Sequence, residues 1–346
     1  MKIRKFLNTY KNNNYLYFIA EACDNHFGDL NKAYQMIKLA KKSGADAIKF
    51  QHHLPDEEML RNVPKSSNFD ISLYDFLKKN SLTIENHKSL YNFCNKIGIQ
   101  YLCTPFSYKA ACELEERIGM DAFKIGSGEL TDIPFISKVA KINKPMIIST
   151  GMATPREIDY TLKRIKSVKK LIIMNCLSEY PPKYEDLNLN YIRKLKKKYP
   201  KIIVGHSDHT GEIYSSFAAY SLGARVIEKH VTLNKNFKGP DQKVSIDFKE
   251  LKYLIDGLRM LENSFGCTKK IQIMEKPIRL WATRSVVSIK DIKFGEKLTK
   301  YNIWTKRPGT GIPAKDFFKL LGKKSKKFIK NNSLIRAKDI KWNYYF

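Results

Sequence analysis

The sequence is short of acid and of arginine. Its 346 residues hold 34 Asp and Glu against 63 Lys and Arg, a net charge of +29, with about four lysines to each arginine. Recognition of phosphates and bases favours the arginine fork. The basic runs LKKKYPK (195–201) and GKKSKKFIK (322–330) carry no interleaved series of aromatic stacking platforms. The charge therefore reads as lysine spread over solvated faces, and no nucleic-acid partner is expected. Long apolar runs are also missing: nothing approaches the ~18 residues of a membrane helix. The opening MKIRKFLNTYKNNNYLYFIAEA lacks the apolar stretch and small-residue cleavage site of a leader. A cytoplasmic chain that avoids the membrane is the expectation. Six cysteines (Cys23, Cys94, Cys103, Cys112, Cys176 and Cys267) show no CxxC spacing. They fit buried free thiols in a reducing compartment better than a disulfide framework. No GxGxxG follows the first apolar segment, and no repeat recurs at 20–50 residues.

What is present is alternation. With 43% hydrophobic and 12% aromatic residues the chain can bury a sizeable core. Short β-branched runs predict strands at 17–22, 47–51, 99–104, 122–127, 145–150, 171–176, 201–205 and 225–230. Stretches such as DLNKAYQMIKLAKKSG (29–44) place apolar residues at helical spacing between them. Eight strands alternating with helices predict a parallel sheet closed into a (β/α)8 TIM barrel over 15–265; an open doubly wound sheet is the alternative. After a connector (266–279) the texture turns to short β-rich pieces broken by Gly and Pro, which predicts a small separate domain over 280–346.

In such a barrel the C-terminal strand ends meet at one mouth. Polar residues stand at those ends: Glu21, Lys49, Gln51, Thr104, Ser107, Lys124, Ser127, Glu129, Ser149, Thr150, Asn175, Ser178, Ser207 and Asp208. Any one of them alone reads as a helix cap or a solvated side chain; the recurrence over eight strands suggests a site. His209 and His230 follow adjacent strands, so two imidazoles with Glu21 and water could hold a divalent metal, or could form a hydrogen-bonded structural pair. His26, His52, His53 and His206 have no evident partners. Lys49 and Lys124 share the mouth, where two ammonium groups suit a small dianion, while one of them could instead form a Schiff base.

The motifs FIAEACDNHFGDL, GADAIKFQ, TPFS, FKIGSGE, ISTGMAT, SEYPPKYEDLNL, GHSDHT, EKHVTL and GPD occur in the order found in N-acetylneuraminate synthases. IWTKRPGTGI (303–312) resembles a loop of their C-terminal antifreeze-like (SAF) domain. The resemblance implies a phosphoenolpyruvate-dependent transferase that forms a C–C bond to N-acetylmannosamine, adds water, and releases N-acetylneuraminate and phosphate. An N,N'-diacetyllegionaminate or related nonulosonate synthase is the near alternative. A basic nucleic-acid binder or a silent carbohydrate-binding relative are the rivals from other classes.

By motif position, His209 and His230 would bind the metal, Mn2+ first, with Mg2+ or Co2+ as alternatives. Lys49, Thr104, Ser107, Lys124, Ser127, Ser149 and Ser207 would line the phosphoenolpyruvate site. Gln51, Tyr180 and Asp241 would face the amino sugar, with Glu21 as acid/base. Arg307 would reach the neighbouring subunit of a domain-swapped homodimer. Two departures stand out: Ala22-Cys23-Asp24 replaces the usual hydrophobic-Gly-hydrophobic stretch, and Asp70 stands where some relatives have Asn.

Overall fold

The computed structural model describes residues 1–10, 15–62 and 71–341; Asp70 lies outside them. The chain divides into two compact units, Met1–Phe265 and Gly266–Phe346.

In the first unit the eight expected strands form: β1 Tyr17–Glu21, β2 Ala47–His52, β3 Gln100–Pro105, β4 Phe123–Ile125, β5 Met146–Ser149, β6 Leu171–Cys176, β7 Ile203–Asp208 and β8 Val226–His230. They hydrogen-bond in parallel in the order β3-β2-β1-β8-β7-β6-β5-β4. The two outer strands, β3 and β4, lie side by side, so the sheet closes. Helices connect the strands and stop where the sequence provides caps. Helix Leu30–Ser43 begins on Asp29, which accepts from the Asn31 and Lys32 amides, and ends on Gly44 at φ +91°. Among the described residues no helix is long and apolar enough to cross a membrane.

Both faces of each strand are buried, which explains why they read as continuous apolar runs. The outward row packs under the helices, as Phe18, Ile48, Tyr101, Phe123, Ile173 and Ile227 do. The inward row fills the lumen with Tyr17, Ile19, Ala47, Leu102, Ala122, Ile147, Ile172, Met174, Ile203 and Val226. Gly205 belongs to this inward row, and a Cβ there would meet the Val226 carbonyl oxygen at 2.7 Å. The lumen is closed from below by helix Ile3–Thr9, whose Ile3, Phe6 and Leu7 are buried in the same cluster, Phe6 lying 5.0 Å from Tyr17 between ring centroids. The expected barrel began at residue 15. This helix was missed because three apolar positions in a lysine-rich opening make a weak periodic signal.

The second unit pairs β9 (Ser285–Ser288) antiparallel with β10 (Ile303–Lys306) around Val286, Ile292, Leu298, Phe317, Ile329 and Ile335. The expected connector carries a helix of its own, Glu275–Ala282.

A histidine cluster lies in the barrel wall. His87, on helix Ile84–Ile97, is fully buried, with Nδ1 2.7 Å from the Tyr101 hydroxyl and its ring edge-on to His52 at 4.8 Å. Burial, helped by the neighbouring His52, holds it well below the ordinary histidine range. The folded state therefore refuses a proton that the unfolded chain accepts below about pH 6.5. Stability is complete above that value and falls as pH drops through it, by up to ~1.4 kcal/mol per pH unit for each such histidine. Urea midpoints at pH 7.5 and 5.5 should show the loss, and His87→Gln should flatten it; an unchanged slope in the variant would rule this histidine out as its source.

Candidate active site

Continued upward, each inward row turns from apolar to polar. Tyr17 and Ile19 lead to Glu21; Ala47 to Lys49 and Gln51; Leu102 to Thr104; Ala122 to Lys124; Ile147 to Ser149; Val226 to Glu228 and His230. The register aligns these tops, with Glu21 opposite Lys49 and His230, Gln51 opposite Thr104, and Ser207 opposite Cys176 and Glu228. They enclose a cavity of about 630 Å³ that also takes in Ser127, Ser178, Tyr180, His209 and Asp241. A larger cleft of about 1270 Å³ adjoins it, sharing Tyr180 and Pro240, but holds none of these titrating groups. Two expected residues do not line the cavity. Ser107 caps helix Tyr108–Ile118, its Oγ accepting from the Ala110 amide at 3.1 Å. Arg307 belongs to the second unit, where its Nε donates to the Ala282 carbonyl at 3.0 Å and its guanidinium lies over Trp281.

The floor is a buried charge cluster around Glu228, a residue missed in the sequence. Its Oε1 lies 3.3 Å from Lys124 Nζ and accepts from Ser207 Oγ at 2.9 Å, and its Oε2 lies 3.8 Å from Lys49 Nζ. Lys49 also contacts Glu21 Oε2 at 2.5 Å and donates to Thr104 Oγ1 at 3.2 Å, while Lys124 donates to Ser149 Oγ at 2.7 Å. The two carboxyls are driven apart. Burial raises Glu228, but Lys124 and Lys49 outweigh it and hold it down to about 2. Burial pushes Glu21 up to about 7 against the pull of Lys49, and Glu228 adds to the rise. Burial would lower Lys49, yet Glu21 and Glu228 hold it above the ordinary lysine range.

Above the floor, His230 at the top of β8 and His209 just past β7 stand with ring centroids 5.2 Å apart and edge-on. His209 Nδ1 is 2.7 Å from the Leu177 carbonyl, a bond that fixes the proton on Nδ1 and turns the Nε2 lone pair into the cavity, 3.2 Å from the Tyr180 hydroxyl. His230 Nδ1 is buried without a hydrogen bond, 3.9 Å from Asp241 Oδ1. Burial holds His230 well below the ordinary histidine range, so it is neutral and able to donate a lone pair. Cys23 Sγ donates to Asp241 Oδ2 at 3.0 Å, and one donor atom each from Cys23, His230 and Asp241 lies within 4.8 Å of the others. This nitrogen, oxygen and sulfur set fits a divalent metal.

A third corner was expected only in Glu129, which follows the fourth strand. His53, set aside in the sequence for want of a partner, has three: Nδ1 is 2.9 Å from Glu58 Oε2, Nε2 is 2.9 Å from Gln51 Oε1, and the ring stacks on Phe106. Asp24 and Glu129 stand beside it in the cavity wall. Burial pushes Asp24 up to about 6 and raises Glu129 too, so this corner offers hydrogen-bonding carboxyls more than charge.

Comparison with known proteins gives a consistent picture. Residues 36–270 match the NeuB family and residues 283–341 the SAF domain. The chain is 39% identical over 330 residues to the N,N'-diacetyllegionaminic acid synthase of Campylobacter jejuni, covering 92% of this chain and 98% of the relative. It is 37% identical over 334 residues to the pseudaminic acid synthase of the same organism, covering 94% and 96%. The crystal structure of N-acetylneuraminic acid (sialic acid) synthetase from Leptospira borgpetersenii, in complex with citrate, superimposes with a TM-score of 0.70 at 31% identity. That match covers 76% of this chain and 90% of that one.

Behind the mouth, on the helix-facing side of the sheet, a second buried pair supports the strand ends that carry His209 and His230. Lys229 Nζ lies 3.1 Å from Asp208 Oδ1, both fully buried, and Asp208 also accepts from the hydroxyls of Thr210, Ser215 and Ser216. Removing one partner strands a buried charge. Lys229→Ala should cost ~3–5 kcal/mol of stability, whereas the double change Asp208→Asn, Lys229→Met should recover much of it. Denaturant titration of the three proteins checks this, and a single variant as stable as wild type would refute the pair's role.

Proposed function

This chain belongs to the NeuB family, and on that premise we propose that its barrel joins phosphoenolpyruvate to the aldehyde of an N-acetylated amino sugar. The observation that carries the reading is the floor cluster, two ammonium groups either side of one carboxylate and ringed by hydroxyls. With Glu228 ionised and Glu21 pushed toward its neutral form, the floor keeps a net positive charge suited to a small polyanion.

The enol carbon forms the new bond to the sugar's aldehyde carbon. Water then adds to the cationic centre left behind, and the tetrahedral adduct expels phosphate with cleavage of its C–O bond. Lys49, Lys124 and the hydroxyls of Thr104, Ser149, Ser127 and Ser207 hold the anion in line, so catalysis leans on positioning and prearranged charge. A divalent metal held by His209, His230 and Asp241, Mn2+ on the family pattern, would polarise the aldehyde oxygen. Glu21, held by Gln51 Nε2 at 3.1 Å and pushed up to about 7, gives its proton to the developing alkoxide and, once ionised, takes the proton of the attacking water. The Asp24, His53 and Glu129 corner faces the sugar's polar substituents.

The relatives named above divide over the acceptor. N,N'-diacetyllegionaminic acid carries two acetamido groups, which implies a 2,4-diacetamido-6-deoxy sugar, whereas N-acetylneuraminic acid implies N-acetylmannosamine. Phosphate release from phosphoenolpyruvate with each sugar decides between them. One acceptor should win by roughly 10²–10⁴-fold in kcat/KM, since a polar corner discriminates strongly. No release with either would defeat the proposal. Because Lys49 stays protonated, borohydride with phosphoenolpyruvate should leave neither lysine reduced; an adduct found by mass spectrometry would place the enzyme among the Schiff-base aldolases.

We extend the reading to a homodimer in which Arg307 serves the neighbouring barrel, where its planar fork would donate to an amide carbonyl. Mixing inactive Glu21→Ala with inactive Arg307→Ala should then restore activity, because a mixed dimer holds one intact site. Demonstrated subunit exchange without recovery would show that Arg307 does not act across subunits.

A further inference from the structure

Cys23 sits just past the end of β1 with its backbone at φ +46°, a left-handed conformation that favours glycine. A glycine would take it without strain. This chain instead keeps a side chain there, and that side chain is a buried thiol directed at Asp241. Strain held at a cavity wall marks a place where the side chain is used. The hydrogen bond to Asp241 alone does not account for the group, because His230 Nδ1, on the same side and nine-tenths buried, is left with no hydrogen bond. The three donor atoms fall within 4.8 Å of one another. Metal–ligand bonds of about 2.0–2.3 Å bring such donors to edges of roughly 3–4 Å, so a small inward movement closes the set around one ion.

We propose that Cys23 is a thiolate ligand of the bound divalent ion, together with His230 and Asp241, and that the ion is therefore a transition metal or zinc and not Mg2+. A sulfur–metal bond replaces the S–H bond, and the proton passes to solvent. Thiolate and imidazole suit Zn2+, Co2+, Fe2+ and Mn2+, while Mg2+ prefers an all-oxygen shell with water. The proposal rests on the reaction proposed above only for the ion's place beside the acceptor aldehyde; the ligand set stands on geometry.

The test needs no substrate. Full-length protein stripped with a chelator is titrated with Co2+ alone and followed by absorption. One equivalent should bind with a near-ultraviolet sulfur-to-cobalt charge-transfer band that a large excess of Mg2+ does not remove. Cys23→Ser should lose the band and bind Co2+ roughly 10–100-fold more weakly or worse. Cys176→Ser, which changes the other thiol of the cavity, should keep the band. X-ray absorption of the Zn2+-loaded wild type, which depends on no variant folding, should show one sulfur at about 2.3 Å. Co2+ bound without the band, a zinc shell without sulfur, a band surviving Cys23→Ser, displacement by Mg2+, or no stoichiometric binding would each overturn the proposal. A protein that shows the band but releases no phosphate would defeat the proposed reaction and leave the ligand set standing. Turnover without the band would do the reverse.

Discussion

Two ammonium groups held dry at the mouth of a barrel are the constraint on which the rest depends. Each buried ion carries a desolvation cost of several kcal/mol, and attraction in the interior offsets it only where the geometry is good and every proton is satisfied. Glu228 meets much of that demand by standing between Lys49 and Lys124, while Thr104 accepts from Lys49, Ser149 accepts from Lys124 and Ser207 donates to Glu228. The same need disposes of Glu21. Burial pushes Glu21 toward its neutral form against the pull of Lys49, the anion on Glu228 adds to the rise, and the floor is left with positive charge in excess. That excess is what an incoming anion finds, already oriented, with no solvent to reorganise.

Much of this was legible from residues alone, and the misses have physical causes. All eight strands were readable because burial on both faces makes each a continuous apolar run. That continuity also hid the inward rows. Counting by twos from Val226 reaches Glu228 and then His230, yet only the histidine was singled out, because a carboxylate inside an apolar run looks like a strand end. His53 was set aside for lack of a neighbour. Gln51 and Glu58 lie close by in sequence but meet the ring only through the turn after β2, while Phe106 and Asp24 come from beyond neighbouring strands, proximities that folding creates. Ser107 shows a converse ambiguity: a serine ending a strand can serve a helix cap or a binding pocket with the same hydroxyl, and here that hydroxyl accepts from the Ala110 amide.

Charge also bears on the metal corner. Two neutral imidazoles would leave a divalent ion with its full double charge in a cavity that already holds two ammonium groups. At effective dielectric constants near 20, unit charges several ångströms apart interact by a few kcal/mol, so such an ion would be opposed by the floor and would loosen the anion's hold on it. A carboxylate and a thiolate cancel that charge where it arises. Asp241 and Cys23 lie beside His230, so a metal corner built from them could polarise a neutral aldehyde while the floor keeps its own charge for the anion. Burial raises Asp241 above the ordinary carboxylate range. On this view the cysteine at the end of β1 is the electrostatic counterpart of Glu228. Each is an anion held in the wall of one cavity so that two kinds of positive charge can share it.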